Sequence, residues 1–169
     1  MFEIPWYDSK RMCKVVGLNL PISRKKAYEV AKFIKYLPIS KAKKILEDVK
    51  NLKIYVPFTR YNRDVPHRKG KIAKVKSGRY PVKVAKFFLK LLDSLEKNAQ
   101  NKGFDTSKLI ILDIQIGNGP KVIGRLRNRR VTRKRTHVLI IAAPIEKYDP
   151  NKKYKRKELK ALVKEFVGW

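Results

Sequence analysis

The sequence predicts an α+β domain, and three observations carry the prediction. Apolar residues recur at helical spacing in three segments before residue 103. Two aliphatic runs of strand character follow, at 109–116 and 136–143. Between them lies "GRLRNRRVTRKRTH", residues 124–137, with seven Lys or Arg and no carboxylate. A basic tail would dangle in water, but this segment is anchored at both ends by apolar strands. It is therefore the outer part of a hairpin whose base is apolar and whose far end is basic.

The elements follow in order. Pro21-Ile22-Ser23 reads as a helix start with Ser23 as N-cap. Ala27, Val30, Ala31, Ile34 and Leu37 then form one apolar stripe, and Pro38 ends it. Ser40 can cap a second helix, whose apolar face is Ala42, Ile45, Leu46 and Val49. Residues 53–79 show no sustained period and contain Pro57, Pro66, Gly70 and Gly78. From Arg60 to Arg79 there are eight Lys or Arg (60, 63, 68, 69, 71, 74, 76 and 79) against Asp64 alone. So long a loop is expected either to be functional or to be disordered without a partner. Pro81 suits the first turn of a third helix. Its stripe is Val84, Phe88, Leu91, Leu92, Leu95 and Ala99, Gly103 is its C′ residue, and Lys83, Lys86, Lys90 and Lys97 face outward. Leu112, Ile114 and Ile116 alternate with Asp113 and Gln115, as in a half-buried strand, and Thr136–Ala143 is the return strand. Arg125, Arg127 and Arg129 fall two apart, on one face if the strand continues. Pro144 and Asp149-Pro150 end the domain. Leu159, Leu162, Val163 and Phe166 stripe a short C-terminal helix, too short to be stable alone.

Composition restricts the function classes. The chain has 169 residues, 43 Lys plus Arg against 14 Asp plus Glu, and a formal net charge of +29. Self-repulsion on that scale destabilises a compact monomer unless a polyanion neutralises it, which puts nucleic acid first and an anionic membrane second. The longest apolar run, Val138 to Ala143, is strand-sized, so membrane insertion is not expected. The N-terminal residues, Phe2 to Asp8, lack the basic start and apolar stretch of a signal peptide. Cys13 is the single cysteine, which rules out an internal disulfide and a cysteine-built zinc site and fits a reducing, cytosolic compartment.

Catalytic and nucleotide motifs are weak. Gly119 and Gly124 have the spacing of a phosphate loop, but Arg125 and Leu126 stand where Lys and Ser/Thr are needed, so a turn or bulge is the better reading. Asp64 and His67 sit among Arg60, Arg63, Arg68 and Lys69, where the carboxylate orders an arginine and the histidine contacts phosphate or stacks. No general base with a partner and a pocket is evident. No metal site or cofactor is expected. Solvated surfaces mix both signs, whereas residues 114–145 hold eight Lys or Arg and no acid. Arginine predominates on the hairpin, which favours forked contacts to phosphate and stacking on bases. Tyr61 and Tyr80 interleave with cations in the loop; as binding groups they favour irregular RNA with exposed bases over plain duplex, and as packing groups they would lie on the domain.

Several blocks occur in order: "LPISRKKAYEVAKFIK", "KAKKILEDV", "VPFTRYNRDVPHRKG", "GRYPVKVAKFFLKLL", "NAQNKGFDTSKLII" and "RTH" before the closing strand. From about residue 10 to 143 the chain resembles the large-subunit ribosomal protein family numbered twenty-two in bacteria and archaea and seventeen in eukaryotes. The "VPFTRYN…GRYP" insertion is similar to the archaeal and eukaryotic branch. The resemblance implies three helices against a small antiparallel sheet with a long projecting β-hairpin, near residues 115–137. It divides the chain into one rRNA-binding domain, 1–143, and a basic extension, 144–169. It implies a non-catalytic structural component of the large subunit that binds rRNA, supports assembly and lines the polypeptide exit tunnel with its hairpin. Its partners would be large-subunit rRNA, neighbouring ribosomal proteins and, at the hairpin tip, the nascent polypeptide. The hairpin's turn looks shorter than is usual in the family.

Carried onto this chain, the rRNA-binding candidates in the loop are Arg60, Tyr61, Arg63, His67, Arg68, Lys69, Arg79 and Tyr80, with Lys83 on the third helix. On the hairpin they are Lys121, Arg125, Arg127, Arg129, Arg130, Arg133, Lys134 and Arg135. The C-terminal helix is expected to dock on a neighbouring protein, because the family domain is complete without it. Two rivals stand against this reading: a DNA-architectural protein with a basic β-ribbon arm, and a small RNA-processing nuclease.

Overall fold

The computed structural model describes residues 4–69, 75–150 and 152–168. Lys71 and Lys74, with Gly70, lie outside the described residues. At the centre is a three-stranded antiparallel sheet. It consists of β1 (Cys13–Leu20), β4 (Leu109–Asn118) and β7 (Thr136–Pro144), in the order β1-β7-β4. β7 is buried from Thr136 to Ala143, which explains its continuous aliphatic run: a central strand covered on both faces has no solvent side to alternate with. β1 escapes sequence reading for the opposite reason. Val16 and Leu18 are exposed on this edge strand, so its pattern does not separate apolar from polar positions.

Three helices follow the expected stripes: α1 (Arg24–Ile34), α2 (Ile39–Lys50) and α3 (Val82–Asn101). Ala27, Val30, Ala31 and Ile34 of α1 are buried, as are Ala42, Leu46 and Val49 of α2 and Val84, Phe88, Leu92, Leu95 and Ala99 of α3. Their ends differ in detail from expectation. Ser23 occupies the N-cap of α1 but makes no side-chain capping bond, and Pro38, not Ser40, stands at the N-cap of α2. Gly103 terminates α3 at φ +72°, with its N–H donating to the Gln100 carbonyl and the Phe104 N–H to that of Ala99. That pair of bonds is the Schellman arrangement, and it needs a residue that tolerates positive φ.

α1 is tied to the outer edge of β4. The Tyr36 N–H donates to the Ile111 carbonyl at 3.0 Å, and the Ile111 N–H returns to Leu37 at 3.0 Å. β4 carries a bulge at Leu112, since Ile111 pairs with Ala142 and Asp113 already pairs with Ile141. Asp113 meets the Lys35 ammonium at 2.6 Å. Burial alone would lower the Lys35 pKa; the hydrogen bond and charge of Asp113 outweigh it and raise the pKa above the ordinary lysine value.

The loop of residues 53–79 is anchored rather than loose over its described part. Tyr55, Val56, Pro57 and Phe58 are buried, and β2 (Val56–Pro57) pairs with β3 (Gly78–Arg79). Further out, the Phe58 N–H donates to Ser77, Arg68 to Lys76 and Gly78 to Pro66. Over its described part, the loop is therefore ordered by the protein's own contacts.

The C-terminal expectation is corrected. Helix α4 (Arg156–Val167) packs on its own chain: Leu159 and Val163 are 2% and 1% exposed and belong to the same buried cluster as the sheet and the other helices. The Arg156 guanidinium donates to the carbonyls of Lys32 and Lys35, the latter at 3.2 Å, and so caps the C-terminus of α1. Arg11 lies 4.8 Å over the ring of Phe166, and Lys147 pairs with Glu165. The stripe too short to stand alone finds its surface where β7 ends, beside Pro144 and Ile145.

Candidate nucleic-acid interface

The hairpin leaves the sheet at the end opposite α4. The β4–β7 ladder ends at Asn118↔Thr136, followed by one bond from the Gly119 N–H to the Arg135 carbonyl at 3.0 Å. A Cβ on Gly119 would lie 2.9 Å from the Arg135 carbonyl carbon, so this close crossing requires glycine. Pro120 then interrupts the pairing, and a second ribbon begins, β5 (Val122–Leu126) with β6 (Arg129–Arg133). The phosphate-loop spacing of Gly119 and Gly124 is thus a strand crossing and a strand interior.

Arg127 and Asn128 form the turn, with φ +46° and +58°. Two consecutive positive φ values in a two-residue loop are those of a type I′ turn, whose twist matches the ribbon. The expectation that Arg125, Arg127 and Arg129 share one face fails here, because the strand stops at Leu126. In the observed register Arg125 faces Arg130, and Leu126 faces Arg129, so the two alternating sets are divided. One face presents Ile123, Arg125, Arg130 and Thr132; the other presents Val122, Leu126, Arg129, Val131 and Arg133. Like charges set directly opposite, as at Arg125 and Arg130, repel. Among the described residues none of the hairpin cations has an ion pair, and β6 is exposed throughout. Arg135 is partly engaged by the body, its Nη1 donating to the Asn19 carbonyl at 3.3 Å. His137 is buried, and its Nδ1 accepts from the Asn19 N–H at 3.2 Å.

The second basic region is organised by a residue that sequence reading missed. Glu29 of α1 is 1% exposed. Its Oε1 accepts from the N–H groups of Arg60 and Tyr61, both at 2.9 Å, and its Oε2 from the Thr59 N–H at 3.0 Å. This carboxylate fixes the strand-to-loop turn on which Arg60 and Tyr61 stand. The Tyr61 ring meets Tyr28 edge-on, centroids 5.7 Å apart, and the Arg60 guanidinium lies 5.3 Å from the Tyr28 centroid and 5.6 Å from that of Tyr61. Arg68 lies 5.4 Å over Tyr80, while its Nε donates to the Gly78 carbonyl. Arg79 donates to the Asp64 carbonyl at 2.9 Å, and the Asp64 carboxylate sits 3.7 Å from Arg63 with both side chains exposed, an ion pair of little energetic weight. His67 pairs with Ser77 through a backbone bridge, not with Asp64. Lys69 is exposed, and Lys83 lies in the first turn of α3.

The structure joins loop and hairpin through the start of α1. One cleft, about 310 Å³, lies between this helix start and the loop, with Lys25, Lys26, Arg60, Tyr61, Arg63 and Arg79 on its wall. A second, about 260 Å³, lies between the helix start and the hairpin base, with Arg24, Lys25, Lys121, Lys134 and Arg135. Arg24, Lys25 and Lys26 were not among the candidates from sequence. Their signal was available: three cations in a first helical turn, where the helix dipole favours acids. α1, α2 and α3 all lack an acid in the first turn, whereas α4 has Glu158 there, accepting from the Lys155 N–H at 2.9 Å. Between Asp113 and Glu146 there is no acid at all. Among the described residues no helix is long and apolar enough to cross a membrane.

An α+β body with acid-poor clusters of cations on a projecting ribbon, an anchored loop and the helix start between them has the build of a ribonucleoprotein component. Comparison with known families gives the particular one. Residues 15–142 match the family described as ribosomal protein L22p/L17e, and the chain belongs to that family. It is 46% identical to the large ribosomal subunit protein uL22 of Nanoarchaeum equitans, an alignment covering 90% of each chain. It is 38% identical to the protein of the same name from Staphylothermus marinus, over 82% of this chain and 93% of that one. With the Archaeoglobus fulgidus protein of that name it shares 41% identity, over 72% and 83%.

Proposed function

We propose that this protein is a structural constituent of the large ribosomal subunit, acting in the cytoplasm by binding large-subunit rRNA and supporting subunit assembly. Residues 1–143 form the RNA-binding unit, and the hairpin at 115–137 reaches through rRNA towards the polypeptide exit tunnel, where its tip meets the nascent chain. Neighbouring ribosomal proteins complete the surroundings, and no catalytic step or cofactor is involved. The observation that carries this reading is the segregation of charge. The hairpin and the α1–loop junction repel themselves in the free protein and gain most from a polyanion that threads between them. An RNA helix supplies closely spaced phosphates for Arg125, Arg129, Arg130 and Arg133 on both ribbon faces, for Lys121, Lys134 and Arg135 at the ribbon base, and for Arg63, Lys69 and Lys83 on the body.

The test is the salt dependence of binding to a large-subunit rRNA fragment. Each phosphate contact contributes a slope of roughly −0.7 to −0.9 in log K against log salt. Replacing Arg127, Arg129 and Arg130 by Ala should flatten the slope by about two to three contacts' worth. An unchanged slope would show that the ribbon does not touch phosphate. Equal affinity for duplex DNA and rRNA would favour a DNA-architectural role instead.

A further inference from the structure

We propose that the cleft between the start of α1 and the loop receives one unpaired nucleotide of the bound RNA, its base stacked on Tyr61 and its phosphates held by Lys26, Arg63 and Arg79. This rests on the RNA-binding reading above and assigns a distinct task to one part of the surface.

The cleft combines a platform, an apolar floor and a cationic rim. Its volume of about 310 Å³ is at the small end for a ligand site, suited to a single nucleotide rather than to a duplex. The floor is Phe58, 3% exposed, with Val65 half-buried beside it. Tyr61 stands partly buried on the wall with Lys25 and Arg60 over its ring at 5.7 and 5.6 Å. Asn62 next to it carries an amide that can both donate to and accept from a base edge. No carboxylate lines the cleft. The wall is also held rigid before any ligand arrives. Glu29 pins the N–H groups of residues 59–61, and Tyr28, set at 85° to Tyr61, fixes the ring plane. A platform held in this way needs little ordering when a base arrives, which favours affinity.

A cleft of about 430 Å³ near the start of α2 also sets Tyr148 and Tyr154 among Lys41, Lys44, Lys152 and Lys153. There, however, Tyr148 is 7% exposed and the two rings pack on each other, centroids 5.4 Å apart, so neither offers a base the platform that Tyr61 does. The one at the hairpin base has cations but no aromatic residue, and so can take phosphate only. The one beside α4, about 490 Å³, has Phe104 and Phe166 but also Glu146 and Glu165, which repel an RNA strand. Bases in a paired A-form stem are stacked on one another and cannot reach Tyr61; an unpaired base can.

The experiment uses the full-length protein and two RNA hairpins with the same stem, one carrying a single bulged 2-aminopurine and the other fully paired. Titration at about 0.15 M salt should show roughly tenfold tighter binding of the bulged RNA, within the span of one base–aromatic stack, with a change in 2-aminopurine emission. Tyr61→Phe should keep both effects. Tyr61→Ala and Tyr61→Leu should abolish both while still binding the paired hairpin, and the Leu variant preserves apolar packing should the Ala variant misfold. Arg63→Ala with Arg79→Ala should weaken the bulged RNA more than the paired one. Equal affinity of the wild type for the two hairpins, or a preference that survives Tyr61→Leu, would overturn the nucleotide site and leave the RNA-binding reading intact. Failure of the wild type to bind either hairpin would overturn that reading and this site with it.

Discussion

Glu29 is the residue whose replacement should be felt most sharply outside the apolar core. Its carboxylate accepts from three backbone N–H groups at 2.9–3.0 Å, and hydrogen bonds to a charged group are worth about 1.5–3 kcal/mol each. The full sum is not lost on replacement, because Thr59 and Arg60 are exposed and their N–H groups can turn to water. Glu29→Ala should therefore cost about 4 kcal/mol, offset slightly by the better helix propensity of alanine. Glu29→Gln keeps one oxygen for Arg60 and Tyr61 but sets an NH₂ against the Thr59 N–H, for a loss of about 2–3 kcal/mol. In a domain of this size 1 kcal/mol moves the thermal midpoint by about 2–4 °C. The expected falls are thus about 12 °C for Ala and about 7 °C for Gln, followed by circular dichroism at fixed salt. Trypsin should also cleave at Arg60 and Arg63 earlier in both variants. A midpoint within about 1 °C of wild type for Glu29→Ala would refute the reasoning that this carboxylate organises the loop.

Other perturbations have distinct outcomes. Leu159→Ala removes a buried side chain from the α4 contact and should cost about 2–5 kcal/mol, lowering the midpoint by about 10 °C; an unchanged midpoint would detach the C-terminal helix from the core. Replacing Arg127-Asn128 by Asn-Gly suits the two positive φ values and should slow amide exchange across Leu126 and Arg129, whereas faster exchange would contradict the type I′ turn. Lys35→Met leaves Asp113 unpaired at the β4 bulge and should destabilise by about 1–3 kcal/mol in urea unfolding; a neutral result would mean that the pair is solvated. Burial pushes the Cys13 thiol up to about 11, so at pH 8 the native protein should resist iodoacetamide and react only when unfolded. The sign for stability follows: above about pH 9 the unfolded state loses this proton first, so the Cys13 contribution falls as pH rises towards 11. Prompt alkylation of the folded chain would contradict that burial.

Much of this architecture is legible in the chain because its signals are local. The stripes of α1, α2 and α3 and the capping at Gly103 are periodicity and turn chemistry, and they survive into the structure almost residue for residue. The hairpin is legible because its base is apolar and its tip basic. What escaped depends on contacts far apart in sequence. Glu29 is an ordinary helical acid until residues 59–61 are folded onto it. β1 is hidden because Val16 and Leu18 sit on an exposed edge. The partner of α4 could not be read from its stripe, since a stripe specifies that a surface is needed but not whose surface it is. The split of the hairpin arginines between two faces turns on the positions of Arg127 and Asn128, where a change of one residue in the turn would reverse every assignment.

The central claim is that the hairpin and the α1–loop junction are the RNA-binding side of a large-subunit protein. A density map of the large ribosomal subunit from the source organism tests it most directly. The account predicts this chain in the map with the ribbon of residues 122–133 threaded into rRNA, Arg129, Arg130 and Arg133 within contact distance of phosphates, and α4 at the opposite end away from the RNA-facing side. A map in which the chain is held through α4 while the ribbon stands in solvent, or in which the chain is absent from the subunit, would contradict it.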